Sequence, residues 1–119
     1  MKLTLPKLLK KTEKIFNAWI RERDKDDGCI SCGREIDHAG HYFSVGQHSA
    51  LRFDEMNVNG QCAACNVFKH GNLIYYRQGL VRKYGELAVE ELERKAIENP
   101  VYKWSREELE TIINKCGRP

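Results

Sequence analysis

The sequence predicts a mostly helical α+β fold, with an N-terminal helix and a group of C-terminal helices flanking a small irregular core. Three observations predict it. Apolar residues recur at helical spacing at both ends, as Ile15, Phe16, Trp19 and Ile20, and later as Leu73, Tyr76 and Leu80. Between them, residues 29–65 show no helical period and hold Gly33, Gly40, Gly46 and Gly60, which reads as loops and short strands. Two Cys-x-x-Cys pairs, Cys29–Cys32 and Cys62–Cys65, bracket that middle segment.

The bulk properties set limits. A chain of 119 residues has room for one core, so the expectation is a single domain, 1–119. Its parts are an N-terminal helix over 12–28, a core over 29–84 and C-terminal helices over 86–119. Hydrophobic residues make up 41% and charged residues 31%, too apolar for wholesale disorder. No run approaches the ~20 apolar residues of a membrane span, and the start lacks the apolar stretch of a secretory signal. The net charge of +3 conceals a division. Residues 1–85 carry 14 Lys/Arg against 9 Asp/Glu, whereas residues 86–119 carry 6 against 8. Any anionic partner therefore belongs on the front two thirds.

Each element has a local reason. Thr12 is the expected cap of the first helix, and Asp26-Asp27-Gly28 its stop. Ile36–Phe43 suits a short strand with Asp37 and His41 on one face, and Asn57–Gln61 suits its partner. A helix starting near Cys65 would set Asn66 and His70 one turn apart. Gly85 is the expected stop of the Leu73–Tyr84 helix. Val89, Leu92 and Ala96 then form the buried face of a helix from Glu86 to Asn99. Ser105 and Glu108 fit a capping box that opens the last one, with Leu109, Ile112, Ile113 and Cys116 as its stripe.

The cysteines carry the strongest signal. Two such pairs can supply four thiolates to one tetrahedral zinc, a closed shell with a structural role. Disulfides are the weaker expectation for a chain without an export signal. Cys116 is left over and belongs to the core. The 29-residue insert between Cys32 and Cys62 concentrates polar chemistry: Asp37, His38, His41, His48 and Asn57, followed by Asn66, Lys69 and His70. A hairpin and helix clamped by zinc would bring His41, Asn57 and Asn66 together near a helix N-terminus, which favours phosphate. His48 reads as a surface residue.

These residues resemble a known family. Cys-x-x-Cys, a Gly-His on a strand, then Asn ahead of Gln-Cys-x-x-Cys-Asn-x-x-Lys is similar to the HNH (His-Me finger) nucleases, whose core is a ββα-metal fold. More narrowly, Ala39-Gly40-His41-Tyr42, Leu51-Arg52-Phe53, Asn57, Gln61-Cys62, Cys65-Asn66 and Gly71-Asn72 resemble the phage NinG/Rap recombination proteins. Ile20-Arg21-x-Arg23-Asp24 and Tyr76-Arg77-x-Gly79-Leu80 match as well, and the likeness covers roughly residues 12–95. The knuckles and Cys65-Asn66 are also similar to phage endonuclease VII.

The resemblance implies a metal-dependent endonuclease that cuts branched DNA such as D-loops and Holliday junctions, in the cytoplasm of a bacterial host. It implies that His41 is the general base, and that a catalytic Mg²⁺ or Mn²⁺ sits on oxygen ligands with Asn66 first among them. Asn57 would join that shell or hold the loop that orients His41, and Arg52, Lys69 and Arg77 would hold phosphates. There is one departure. Related nucleases commonly place Asp just before the catalytic His, where this chain has Gly40. Asp37, His38 or His70 would then compensate, or a literal Asp37-His38 pair would be catalytic in a register shifted by three. His41 is preferred because Gly40 and Tyr42 match the narrower family. The alternative function is a non-catalytic zinc module that binds DNA or protein, which has no need of the His41, Asn57 and Asn66 set. Junction cutting also suits a homodimer, for which the apolar C-terminal helices are the expected interface.

Overall fold

A computed structural model describes residues 2–117. Helix α1 spans Leu5–Asp24, β1 His38–His41, β2 Val58–Gln61, α2 Leu73–Tyr84, α3 Glu86–Glu98 and α4 Arg106–Cys116.

Helix α1 begins earlier than Thr12. Thr4 is the cap, its Oγ1 accepting the Lys7 N–H at 3.4 Å, and Pro6 lies in the first turn, where a missing N–H leaves no bond unmade. Thr12 lies inside the helix, fully buried, and its hydroxyl donates to the Leu8 carbonyl at 2.8 Å. The helix ends at Asp24, short of the expected 28, with that carboxylate turned inward and 2% exposed. Arg23 grips both of its oxygens, at 2.7 and 2.9 Å, and the Gly60 N–H donates to it at 2.8 Å. Lys83 of α2 adds an ion pair at 3.2 Å. One buried carboxylate thus fastens α1 to β2 and α2. Burial alone would raise its pKa, but Arg23, the Gly60 N–H and Lys83 together hold it below the ordinary carboxylate value.

The strands pair antiparallel, with His38 opposite Gln61, Ala39 opposite Gly60, Gly40 opposite Asn59 and His41 opposite Val58. Alternation divides these residues between two faces. Ala39 and Val58 join the core that α1 and α4 build from Leu8, Phe16, Ile20, Leu109 and Cys116, so His41 shares the α1 face. Gly40, Asn59, His38 and Gln61 face the other way, toward α2 and the cysteine knuckles.

The helix expected to start near Cys65 is a single wide turn, Ala64–Phe68. His70 and Asn72 then adopt left-handed φ of +49° and +48°, which breaks the chain direction before α2. The remaining helices follow their sequence signals. Gly85 closes α2 through its N–H to Val81 O, and Ser105 and Glu108 form the capping box of α4 with both reciprocal bonds present. Val89, Leu92 and Ala96 pack on Leu51, Tyr76 and Leu80 in a second core. The stripes of α3 and α4 pack against the chain's own interior. Among the described residues, no helix is long and apolar enough to cross a membrane.

Candidate metal centre and active site

The two knuckles meet. The Sγ atoms of Cys29, Cys32, Cys62 and Cys65 lie within 4.8 Å of one another, and those of Cys32 and Cys62 are 3.6 Å apart. Sulfurs at ~2.3 Å from a tetrahedral zinc stand about 3.8 Å from each other, so the cluster has the dimensions of a zinc shell. Supporting donors are in place: the Cys65 N–H points at Cys62 Sγ and the Asn72 amide at Cys65 Sγ, both at 3.4 Å. Gly33, at φ +80°, supplies the left-handed turn that lets the first knuckle close. Burial would raise the pKa of Cys62, yet the Cys65 N–H and the neighbouring thiols bring it down to about 7. The four thiols can hold one structural metal such as zinc, and Cys116 stays apart in the α4 core.

The knuckles flank the hairpin, and the hairpin presents two polar clusters. The first lies at the end of β1. His41 is half-buried, with Nε2 3.4 Å from the Arg52 carbonyl. Burial pushes its pKa below the ordinary 6.5; the Arg52 carbonyl and Glu13 of α1 oppose that, and the Arg52 guanidinium adds to it. A carbonyl can only accept, so the proton of the neutral ring sits on Nε2 and Nδ1 keeps a free lone pair. Asn57 builds this loop. Its Oδ1 accepts the Phe43 N–H at 2.9 Å, and its Nδ2 donates to the carbonyls of Phe43 and Leu51, both at 3.1 Å. These three bonds hold the loop together, and the Asn57 side chain is fully buried.

The second cluster is on the opposite face. Asn66 Nδ2 lies 3.2 Å from His38 Nδ1, and its Oδ1 lies 3.0 Å from where a Cβ on Gly40 would stand. That imagined Cβ would be 1.9 Å from Gln61 Oε1, a buried oxygen with no hydrogen-bond partner. Two amide oxygens thus fill the space that a side chain at residue 40 would take. Asn66 abuts the neighbour of His41, across the strand from the imidazole.

The sequence profile described as "Bacteriophage Lambda NinG protein" matches residues 4–117. The chain belongs to the NinG family. It is 41% identical over 107 residues to protein ninG of Salmonella phage P22, covering 87% of this chain and 51% of that protein. With protein ninG of Escherichia phage 933W it shares 41% over 110 residues, 90% of this chain and 53% of the other. With that of Escherichia phage lambda it shares 40% over 107 residues, 87% and 51%. The chain spans about half the length of these NinG relatives. No solved structure matches it.

Several expected site residues of this NinG chain stand elsewhere. Asp37 precedes β1 and its carboxylate caps the Ala63 N–H at 2.8 Å, which commits it to the second knuckle. His70 is exposed in the left-handed turn, so it and Asn66 do not share a helix face. Of the three residues expected to compensate for Gly40, His38 is the one beside Asn66. Arg77 is bound to Glu93 and Glu86 at 2.8–2.9 Å, which removes it from the phosphate-binding set. Arg52 is half-buried, and its Nε has no partner. Lys69 is exposed.

Two positioning residues escaped the sequence reading. Tyr76, read only as a core residue of α2, is fully buried and its hydroxyl donates to Gly40 O at 2.7 Å, with Asn57 O at 3.2 Å and Asn59 Nδ2 at 3.2 Å. It therefore ties α2 to the backbone of both clusters. Gln61, read only as part of the Gln-Cys motif, anchors its Nε2 on Ser31 Oγ and Gly71 O. The signal for Gln61 was available: a polar residue beside a cysteine knuckle, on the same hairpin face as Gly40.

Proposed function

We propose that the chain is a metal-dependent DNA endonuclease that hydrolyses phosphodiester bonds in branched recombination intermediates, D-loops and Holliday junctions among them. The observation that carries this reading is His41. A half-buried imidazole with a lowered pKa and a free Nδ1, braced by a loop that Asn57 ties together, suits a general base near neutral pH. A module that only binds DNA or protein has no use for such a group. Membership of the NinG family supports the phage recombination setting, and with it action inside the bacterial host.

In this reading Nδ1 of His41 takes the proton from the attacking water, and the Arg52 carbonyl keeps the ring oriented while its charge changes. Lys69 and Arg52 bind phosphates next to the scissile one. A catalytic Mg²⁺ or Mn²⁺ would supply Lewis-acid polarisation of the scissile phosphate and charge stabilisation for the departing 3′-oxygen. The donors at Gly40 fit it: Asn66 Oδ1 is the atom that would hold it, with amide oxygen standing where related nucleases have carboxylate, and His38 Nδ1, bonded to the Asn66 amide nitrogen, would keep that oxygen oriented. A homodimer on the junction would supply the two incisions that symmetric resolution needs.

The test is incubation of zinc-loaded protein with labelled four-way junctions, D-loops and matched duplex, with Mg²⁺ or Mn²⁺ and without added ion. Ion-dependent nicking near the branch is the expected result. No cleavage of any DNA by protein that retains its zinc would overturn the reading in favour of the binding module.

A further inference from the structure

The turn that replaces the expected helix leaves apolar side chains in water. Phe68 is 79% exposed, Ile74 76%, Tyr75 55% and Val67 53%. A single exposed apolar residue is ordinary, but this many within one turn and the first turn of α2 call for an occupant. The turn is tightly built. Asn72 N–H bonds to Lys69 O at 2.8 Å, Gly71 N–H to Cys65 O at 2.8 Å, and His70 and Asn72 hold left-handed φ. The segment is thus fixed at its base to Cys65 of the cysteine cluster, and Phe68 follows Asn66 by two residues.

The charge around it indicates what the occupant is. From Met56 to Gly85 the sequence contains no Asp or Glu. The cations of that stretch divide into two sets. Arg77 is paired with Glu86 and Glu93, and Lys83 shares Asp24 with Arg23. Lys69 and Arg82 have no carboxylate partner among the described residues, and both are exposed. An exposed aromatic ring next to an unpaired lysine, on a segment that carries no acidic residue, is a combination that binds unpaired bases, because any base can stack on the ring while lysine meets its phosphate. A second copy of the chain is the poorer occupant, since a stable protein interface takes ~20–30 residues a side. This patch offers a handful.

We propose that Phe68 is a base-stacking wedge, and that it and Lys69 together bind an unpaired or unstacked nucleotide at a DNA branch point. The proposal rests on the endonuclease reading and gives that site its preference for branched over continuous duplex DNA. A perfect duplex offers no free base face, whereas a junction or flap does.

The experiment measures binding by fluorescence anisotropy, with Ca²⁺ in place of Mg²⁺, to a four-way junction, a single-stranded flap and a matched duplex. Phe68→Ala should weaken binding to junction and flap about 5- to 100-fold and change duplex binding less than about twofold. Phe68→Trp should keep wild-type affinity. Lys69→Ala should weaken all three and lower the salt dependence by about one ion. Zinc content and far-UV circular dichroism verify that each variant is folded. Equal junction affinity of wild type and Phe68→Ala, in a protein that still binds and cuts junctions, overturns the wedge and leaves the nuclease reading standing. A wild-type dimer in sedimentation that Phe68→Ala dissociates overturns it in favour of a second copy. Wild type that binds no DNA overturns both.

Discussion

Gly40→Ala should destabilise the protein, although Gly-to-Ala changes in extended backbone normally help. The normal gain is about 0.4–1 kcal/mol, from an unfolded chain with fewer conformations to lose. At Gly40 the new methyl would stand 1.9 Å from Gln61 Oε1, 2.8 Å from Gln61 Cδ and 3.0 Å from Asn66 Oδ1. Gln61 cannot swing aside cheaply. It is fully buried, and its Nε2 is bound to Ser31 Oγ at 2.9 Å and Gly71 O at 2.8 Å. Relief of the overlap breaks those two bonds, at about 1 kcal/mol each, or strains the strand by about 1–3 kcal/mol. With the normal gain subtracted, the net expectation is a loss of about 1–2 kcal/mol, equivalent to roughly 5 °C in Tm for a domain of this size. Thermal unfolding of zinc-loaded wild type and variant measures it. In a Gln61→Ala background the same substitution should be neutral or slightly stabilising, a non-additivity that isolates the contact. An unchanged or raised Tm for Gly40→Ala would refute the packing described at this site.

The other expectations concern the supports of the site. Asn57→Ala removes three buried hydrogen bonds that tie Phe43 to Leu51, and should cost about 2–4 kcal/mol in urea unfolding; a loss under about 1 kcal/mol would mean that the loop stands without it. Zinc should be present at one ion per chain by elemental analysis, and Cys65→Ser or chelation should abolish cooperative unfolding. Asp24 should govern the acid limb of stability. Its pKa is lowered in the folded state, so its contribution is complete above about pH 4 and is lost as pH falls through the folded value. Asp24→Asn should therefore flatten the dependence of the urea midpoint on pH below about 4, and an unchanged acid limb would contradict the Asp24–Arg23–Lys83 clamp.

The parts of the fold that sequence discloses are those governed by neighbours along the chain. The Ser105–Glu108 box, the Gly85 stop and the α3 stripe are local devices, and they stand as read. The four thiols are legible because a tetrahedral ion imposes one spacing on two knuckles. Helix α1 starts before Thr12 because Pro6 is accommodated in a first turn, and because a threonine hydroxyl serves a cap and a helix interior equally well. The turn after Cys65 was hidden for a related reason: His70 and Asn72 are left-handed without being glycine, and nothing in their own identity announces it. Of the site, His41 and Asn57 were legible as residue types. The partnership of His38 with Asn66, the role of Tyr76 and the filling of Gly40 by Gln61 are long-range contacts that only the folded hairpin creates.

The central claim is that His41 acts as the base of a metal-dependent DNA hydrolysis, and the rate of junction cleavage by His41→Ala tests it most directly. Wild type should nick in Mg²⁺ or Mn²⁺ with kcat/KM rising with pH through a midpoint below 6.5, the direction in which burial moves this imidazole. His41→Ala, with zinc and helical content unchanged, should lose at least about 100-fold and that pH step with it. Cleavage by His41→Ala at the wild-type rate, with the same pH profile, would contradict the account.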